Sequence, residues 1–238
     1  MARRSETASL GDRQLGYPEA IAAVLLVGWF LLNLLAATRI DNPVFQIQDL
    51  LLTGGISLLI ITLLTLLLQL RGFSVALLGG FSRLGFGRIL STAAVLLFAA
   101  YPLLLAADGD FHRLLLGGGA PNNRSWKCLP ARKRSMQRIL IIVLAIAIAP
   151  FAEEFVFRFF LYGVLKRYLG RAVGLVLNSL LFGAVHAHLP SLLPLFVLGG
   201  CFTLAYEWSG SILVSMTMHA LFNFFSLSAL AFPDLLPQ

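Results

Sequence analysis

The 238-residue chain is 58% hydrophobic and 12% charged, with a mean hydropathy of +0.86. Soluble globular domains carry about twice that charged fraction, which excludes a water-soluble protein. Eighteen Lys and Arg against eleven Asp and Glu give a net charge of +7. The bases stand in short clusters between long apolar runs, as in loops flanking membrane helices, so no nucleic-acid partner is expected. Cys128 and Cys201 share no CxxC or Cys/His spacing, and neither a disulfide framework nor a thiolate metal site is expected.

A bilayer core about 30 Å thick needs roughly 20 apolar residues per helix. Seven such runs follow in chain order, at residues 18–38, 50–70, 89–107, 139–165, 172–187, 192–206 and 211–232. The expected fold is therefore all-α, a polytopic membrane helix bundle of seven transmembrane helices, or eight if a re-entrant segment forms near residues 111–119. The polar stretch 1–17 carries Arg3, Arg4 and Arg13. The apolar run after it is too long for a signal-peptide core and no small-x-small cleavage site follows, so it reads as a retained first helix.

The long hydrophilic insert, residues 108–137, contains three consecutive glycines from Gly117, then Pro121, Asn122, Asn123 and the run Arg132, Lys133, Arg134. That composition predicts a flexible surface loop with a solvated basic cluster beside the membrane. The chain thus divides into an N-terminal three-helix region, 1–137, and a four-helix core, 138–232, within a single integral membrane domain. With a cytoplasmic N-terminus, nine bases fall inside and eight outside, which does not fix the orientation.

Ionisable groups inside a span cost at least about 2.5 kcal/mol each, and each is a functional candidate. The fourth run holds Glu153, Glu154 and Arg158, the fifth Asn178 and His186 with His188 at its end, and the seventh His219 and Asn223. Glu154 and Arg158 are four apart with the acid first, so on a helix they are neighbours in the favourable order. Glu153 lies one position round the helix without such a partner, and a carboxylate in that state can accept and return protons. His219 and Asn223 share a helix face, as do Phe182 and His186. At ~1.5 Å per residue, Glu153, His186, Asn223 and His219 fall within about 10 Å of one depth. Asn178 and His188 are read as structural, His112 as a solvated loop residue, and Glu207 beside Trp208 as an interfacial anchor.

At these residues the chain resembles the CAAX-protease and bacteriocin-processing family of intramembrane peptidases, also called the Abi family. The family pattern stands here as Glu153-Glu154-Phe-Val-Phe-Arg158, Phe182-Gly-Ala-Val-His186 and His219-Ala-Leu-Phe-Asn223, in order on three apolar segments. The resemblance covers about residues 140–225. It implies a glutamate-dependent endopeptidase in which Glu153 and His186 activate a water, His219 and Asn223 hold the oxyanion, and Glu154 and Arg158 support the site. It implies no metal, a membrane-anchored protein or peptide as substrate, and the bilayer as surroundings. The motif-dense format points to the cytoplasmic membrane of a prokaryote.

Two alternatives remain open on the residues alone. Two histidines and a glutamate can hold zinc with a water in the fourth position, although His-Glu-x-x-His is absent and Asn223 is a poor zinc ligand. A proton-coupled transporter would use Glu153 and His186 as relays. Pro150 and the Gly199-Gly200 pair are candidate helix breaks of the kind such proteins use, but no internal duplication accompanies them.

Overall fold

The computed structural model describes residues 15–37, 47–116 and 142–231, and every regular element among them is helical. α1 (Tyr17–Ala37) and α2 (Ile47–Leu70) are followed by the one-turn α3 (Val75–Leu78) and the long α4 (Phe86–Leu116). Helical backbone resumes at residue 142. The helical stretch Tyr162–Ala184 is interrupted at Gly170, whose φ of 81° and ψ of 170° no helix contains. We therefore describe α5, residues 142–169, and α6, residues 171–184, as separate helices. A 3₁₀ turn (Leu189–Ser191) leads into α7 (Leu192–Ser209), and α8 (Ile212–Ala231) closes the described chain. The all-helical bundle matches the seven apolar runs, with α3 an additional single turn.

Among the described residues four helical segments are long and apolar enough to cross a membrane, Tyr17–Ala36, Leu52–Leu70, Phe86–Ala107 and Leu189–Ser209, and Ile212–Ser228 is a shorter apolar helix. Large apolar side chains face outward along them, among them Leu25, Leu63 and Phe98. An apolar exterior on this scale suits lipid and not water. α5 is the opposite case. Every residue from Phe155 to Leu161 is buried, and a helix apolar all round except for one paired charge belongs in the middle of a bundle.

The helices pack so that α7 lies against the Tyr162–Ala184 segment, α4 lies against both α7 and α8, and α8 lies against the Leu144–Ile148 and Ala149–Glu154 parts of α5. The buried Glu19 fastens the start of α1 to the end of α2. It accepts from the Gly16 N–H at 2.6 Å and pairs with Arg71 Nε at 3.1 Å.

Three expectations are corrected. α5 does not break at Pro150. It widens into π geometry over Leu144–Ile148 and again over Phe155–Leu161, with an α-helical turn between. The Ala149 N–H donates five residues back to Leu144, so the ring of Pro150 is accommodated by one extra residue in the turn and not by a kink. α7 is continuous through Gly199-Gly200. α4 runs on through Leu116, so residues 108–116, His112 included, are helical and not loop, and 111–116 extend a helix instead of re-entering the membrane. Phe111 and Leu114 to Leu116 continue the apolar pattern, a single Gly109 costs only about 1 kcal/mol, and the glycine triplet at 117 ends it. Cys128 and the cluster Arg132, Lys133, Arg134 lie outside the described residues.

One contact between turns fixes how the C-terminal pair of helices meets the N-terminal part. The Ile212 N–H donates to Gly79 O at 2.9 Å. Gly80 has φ 62°, and a Cβ there would sit 2.0 Å from the Gly210 carbonyl oxygen. Gly80→Ala must therefore both strain its own backbone and push the α7–α8 turn away, a loss of about 1–3 kcal/mol. The expected result is a lowered melting temperature in detergent.

Candidate active site

Four helices meet at the site. α5 carries Glu153, Glu154 and Arg158 on its central α turn and second π segment; α6 carries Phe182; α8 carries His219 and Asn223; α7 backs them with Gly199, Phe202 and Thr203. Gly199 permits the approach of α7 to α6, because a Cβ at that position would stand 3.1 Å from Phe182 Cδ1 and 3.2 Å from Ser179 Cα.

Glu154 and Arg158 are both fully buried and form the expected i, i+4 pair, Oε1 to Nη1 at 3.1 Å. Arg158 also donates through Nη2 to Gly199 O at 3.2 Å. Its guanidinium lies 4.1 Å from the centre of the Phe182 ring and 5.1 Å from that of Phe202. The buried charge is thus met by a carboxylate, a carbonyl and two ring faces, the arrangement that burying a cation requires. The Gly199 carbonyl accepts from Thr203 Oγ1 as well, at 2.8 Å, and Thr203 in turn accepts from Asn178 Nδ2 at 3.2 Å. Asn178, read as structural from the sequence, is an interhelical link behind Arg158.

The same Glu154 Oε1 accepts from His219 Nδ1 at 2.9 Å. A carboxylate so placed only accepts, so Nδ1 carries the hydrogen and Nε2 is the nitrogen left over. That Nε2 stands 3.9 Å from Glu153 Oε2. The His219 ring is buried, stacked on Phe202 at 4.7 Å between centres and edge-on to Phe182 at 5.9 Å. Glu153 is the less buried of the two glutamates, and its Oε2 is enclosed without a hydrogen bond from the protein.

His186 is held differently from the expectation that placed it inside its helix, whereas Asn223 lies within α8 as expected. α6 ends at Ala184, and His186 sits on the exposed turn that follows, ahead of Ala187 at φ 51°. Its Nδ1 donates to Phe182 O at 2.7 Å, capping one of the carbonyls that a helix leaves unpaired at its C-terminus. The ring lies edge-on to Phe182 at 5.1 Å, and it makes neither hydrogen bond nor ion pair with Glu153. Phe182 is thus the ring between the two histidines. Asn223 Nδ2 donates to Ala145 O on α5 at 2.7 Å.

The structure therefore brings Glu154, Arg158 and His219 into direct contact with Glu153 3.9 Å from His219, sets His186 at the rim through Phe182, and ties Asn223 to the backbone of α5. Phe202 and Thr203 carry no sequence signal of their own, being an aromatic and a hydroxyl on an apolar helix. Gly199 was legible as a special position, although for close packing and not for a break. His188 bonds Ser191 Oγ at 2.7 Å on the outer turn. Glu207 pairs with Lys166 and accepts from Tyr162 OH at 3.2 Å, as an interfacial anchor should. Among the described residues no three His, Cys, Asp or Glu side chains are grouped so as to hold a metal ion.

Residues 135–225 match the model of the Rce1-like family, the type II CAAX prenyl endopeptidases. Over 91 residues the chain is 38% identical to the uncharacterized protein YpbD of Bacillus subtilis (strain 168), a match covering 37% of this chain and 42% of that protein. The chain thus aligns with well under half the length of the curated relative it matches. No solved structure matches.

Proposed function

We propose that the chain, whose residues 135–225 match the model of the Rce1-like family of type II CAAX prenyl endopeptidases, is an intramembrane endopeptidase that hydrolyses a peptide bond of a membrane-associated protein or peptide by glutamate-activated water. The observation that carries this reading is the asymmetry of the two glutamates. Glu154 is fully buried and its Oε1 is committed to Arg158 and His219, although its Oε2 is unbonded, whereas Glu153 is partly exposed, its Oε2 accepts no hydrogen bond, and it stands 3.9 Å from His219 Nε2. The Arg158 guanidinium is held by Glu154 and the Gly199 carbonyl, which leaves Glu153 as the carboxylate without a cation of its own. A site that gains and loses one proton is what general acid–base chemistry needs.

In this reading Glu153 takes a proton from water as the water oxygen bonds to the scissile carbonyl carbon and the carbonyl electrons move onto its oxygen. The proton then passes to the leaving amine as the C–N bond breaks. His186, its Nε2 unprotonated because Nδ1 donates to Phe182 O, supplies a second acceptor for the water. His219 can donate from Nε2 to the oxyanion only as an imidazolium, since its Nδ1 hydrogen is already given to Glu154. Asn223 keeps one amide hydrogen beyond the one given to Ala145, and an amide donor aimed at an oxyanion is a recurrent stabiliser. The prokaryotic relative supports placing the chain in a cytoplasmic membrane.

The test is cleavage of a membrane-anchored peptide by the purified chain in proteoliposomes, compared with Glu153→Gln. Cleavage is expected to continue unchanged in strong chelators, with no stoichiometric metal by elemental analysis. Chelator-sensitive activity restored by zinc favours a zinc enzyme, and ion flux without any cleaved product favours a transporter.

A further inference from the structure

In a helix each carbonyl meets the N–H four residues on, or five where the helix widens to π geometry. The Ala145 carbonyl meets neither. The Ala149 N–H, its α-helical partner, donates to Leu144 instead, and residue 150, its π-helical partner, is a proline with no N–H. The donor that reaches Ala145 O comes from a different helix: Asn223 Nδ2, at 2.7 Å. Inside a membrane bundle an unpaired carbonyl is costly, because no bulk water replaces the missing donor.

We propose that Pro150 is a positioning residue for Asn223. By denying Ala145 its helical partner it creates an acceptor on α5 that orients the Asn223 carboxamide through one amide hydrogen and leaves the other for the reacting carbonyl oxygen. Pro150 lies three residues before Glu153 on the same helix, so the turn that presents the base also fixes the carboxamide opposite it. The catalytic half of this inference rests on the peptidase reading; the coupling between Pro150 and Asn223 does not.

The experiment is a double-mutant cycle on the full chain in detergent, read by thermal unfolding, with turnover as the second readout. Pro150→Ala supplies an N–H at position 150. Asn223→Ala is expected to lower the melting temperature by roughly 2–5 °C in the parent, where it strands a half-buried carbonyl. In the P150A background the loss is expected to be less than half as large, because the backbone then serves Ala145. Equal losses in the two backgrounds overturn the proposal, and so does a P150A protein that melts below the parent. In the turnover assay P150A is expected to lower kcat about tenfold with KM unchanged, a fraction of the 10²–10³ that removing an oxyanion donor costs. Full kcat in P150A overturns the positioning role. A parent chain that cleaves nothing sinks the peptidase reading instead, and the unfolding cycle still decides the coupling.

Discussion

Glu153→Gln should abolish peptide cleavage while leaving the melting temperature of the detergent-solubilised protein unchanged. The two outcomes belong together because of how Glu153 is held. Its Oε2 accepts no hydrogen bond from the protein, and His219 Nε2 stands 3.9 Å away, too long for a direct bond. Gln keeps the shape and volume of the side chain and loses only the ability to take a proton. If that proton transfer is the chemistry, kcat falls by about 10²–10⁴, the usual contribution of a general base, and KM does not move. His186→Ala should behave in the same way, since its exposed ring gives the fold one hydrogen bond to Phe182 O. Full activity in E153Q, measured beside an unaltered unfolding curve, would remove the glutamate mechanism altogether.

How the sequence foreshadowed this site depends on the range of each interaction. Contacts made along one helix were readable from spacing: Glu154 and Arg158 pair at i, i+4 as predicted, and the break between the fourth and fifth apolar runs falls at Gly170, where φ is positive. Contacts between helices were not. Spacing put His219 and Asn223 on one face of α8 but could not show that His219 turns to Glu154, or that Asn223 turns to a carbonyl on α5. The grouping of Glu153 with His186 came from depth and from the family resemblance, and the turn that ends α6 leaves His186 exposed beyond the helix. Pro150 illustrates the limit most clearly. A proline in an apolar run predicts a break, and only the backbone shows that a π turn absorbs it. Residues 117–137, whose composition reads as a basic loop, lie outside the described residues.

Removing the guanidinium of Arg158 is expected to have the largest effect on stability of any single substitution in the chain. Arg158→Leu leaves the buried Glu154 carboxylate with His219 as its one remaining partner, and it strips the Phe182 and Phe202 faces and the Gly199 carbonyl of the cation they enclose. Breaking one side of a buried pair costs about 3–5 kcal/mol, or roughly 10 °C in melting temperature for a chain of this size. Arg158→Lys should recover only part of the loss, because an ammonium keeps the charge but cannot reach Glu154 Oε1 and Gly199 O with separate nitrogens of a planar fork. The double variant Glu154→Gln with Arg158→Leu separates structure from chemistry. With the charge gone from both sides the desolvation penalty is largely relieved, so its melting temperature should return most of the way to the parent value. Activity should not return with it, because His219 then faces a carboxamide at Nδ1 and loses the carboxylate acceptor that holds its Nδ1 hydrogen. Recovery of cleavage together with stability would mean that Glu154 and Arg158 only hold the helices together, and that the proton chemistry belongs to Glu153 and His186 without His219.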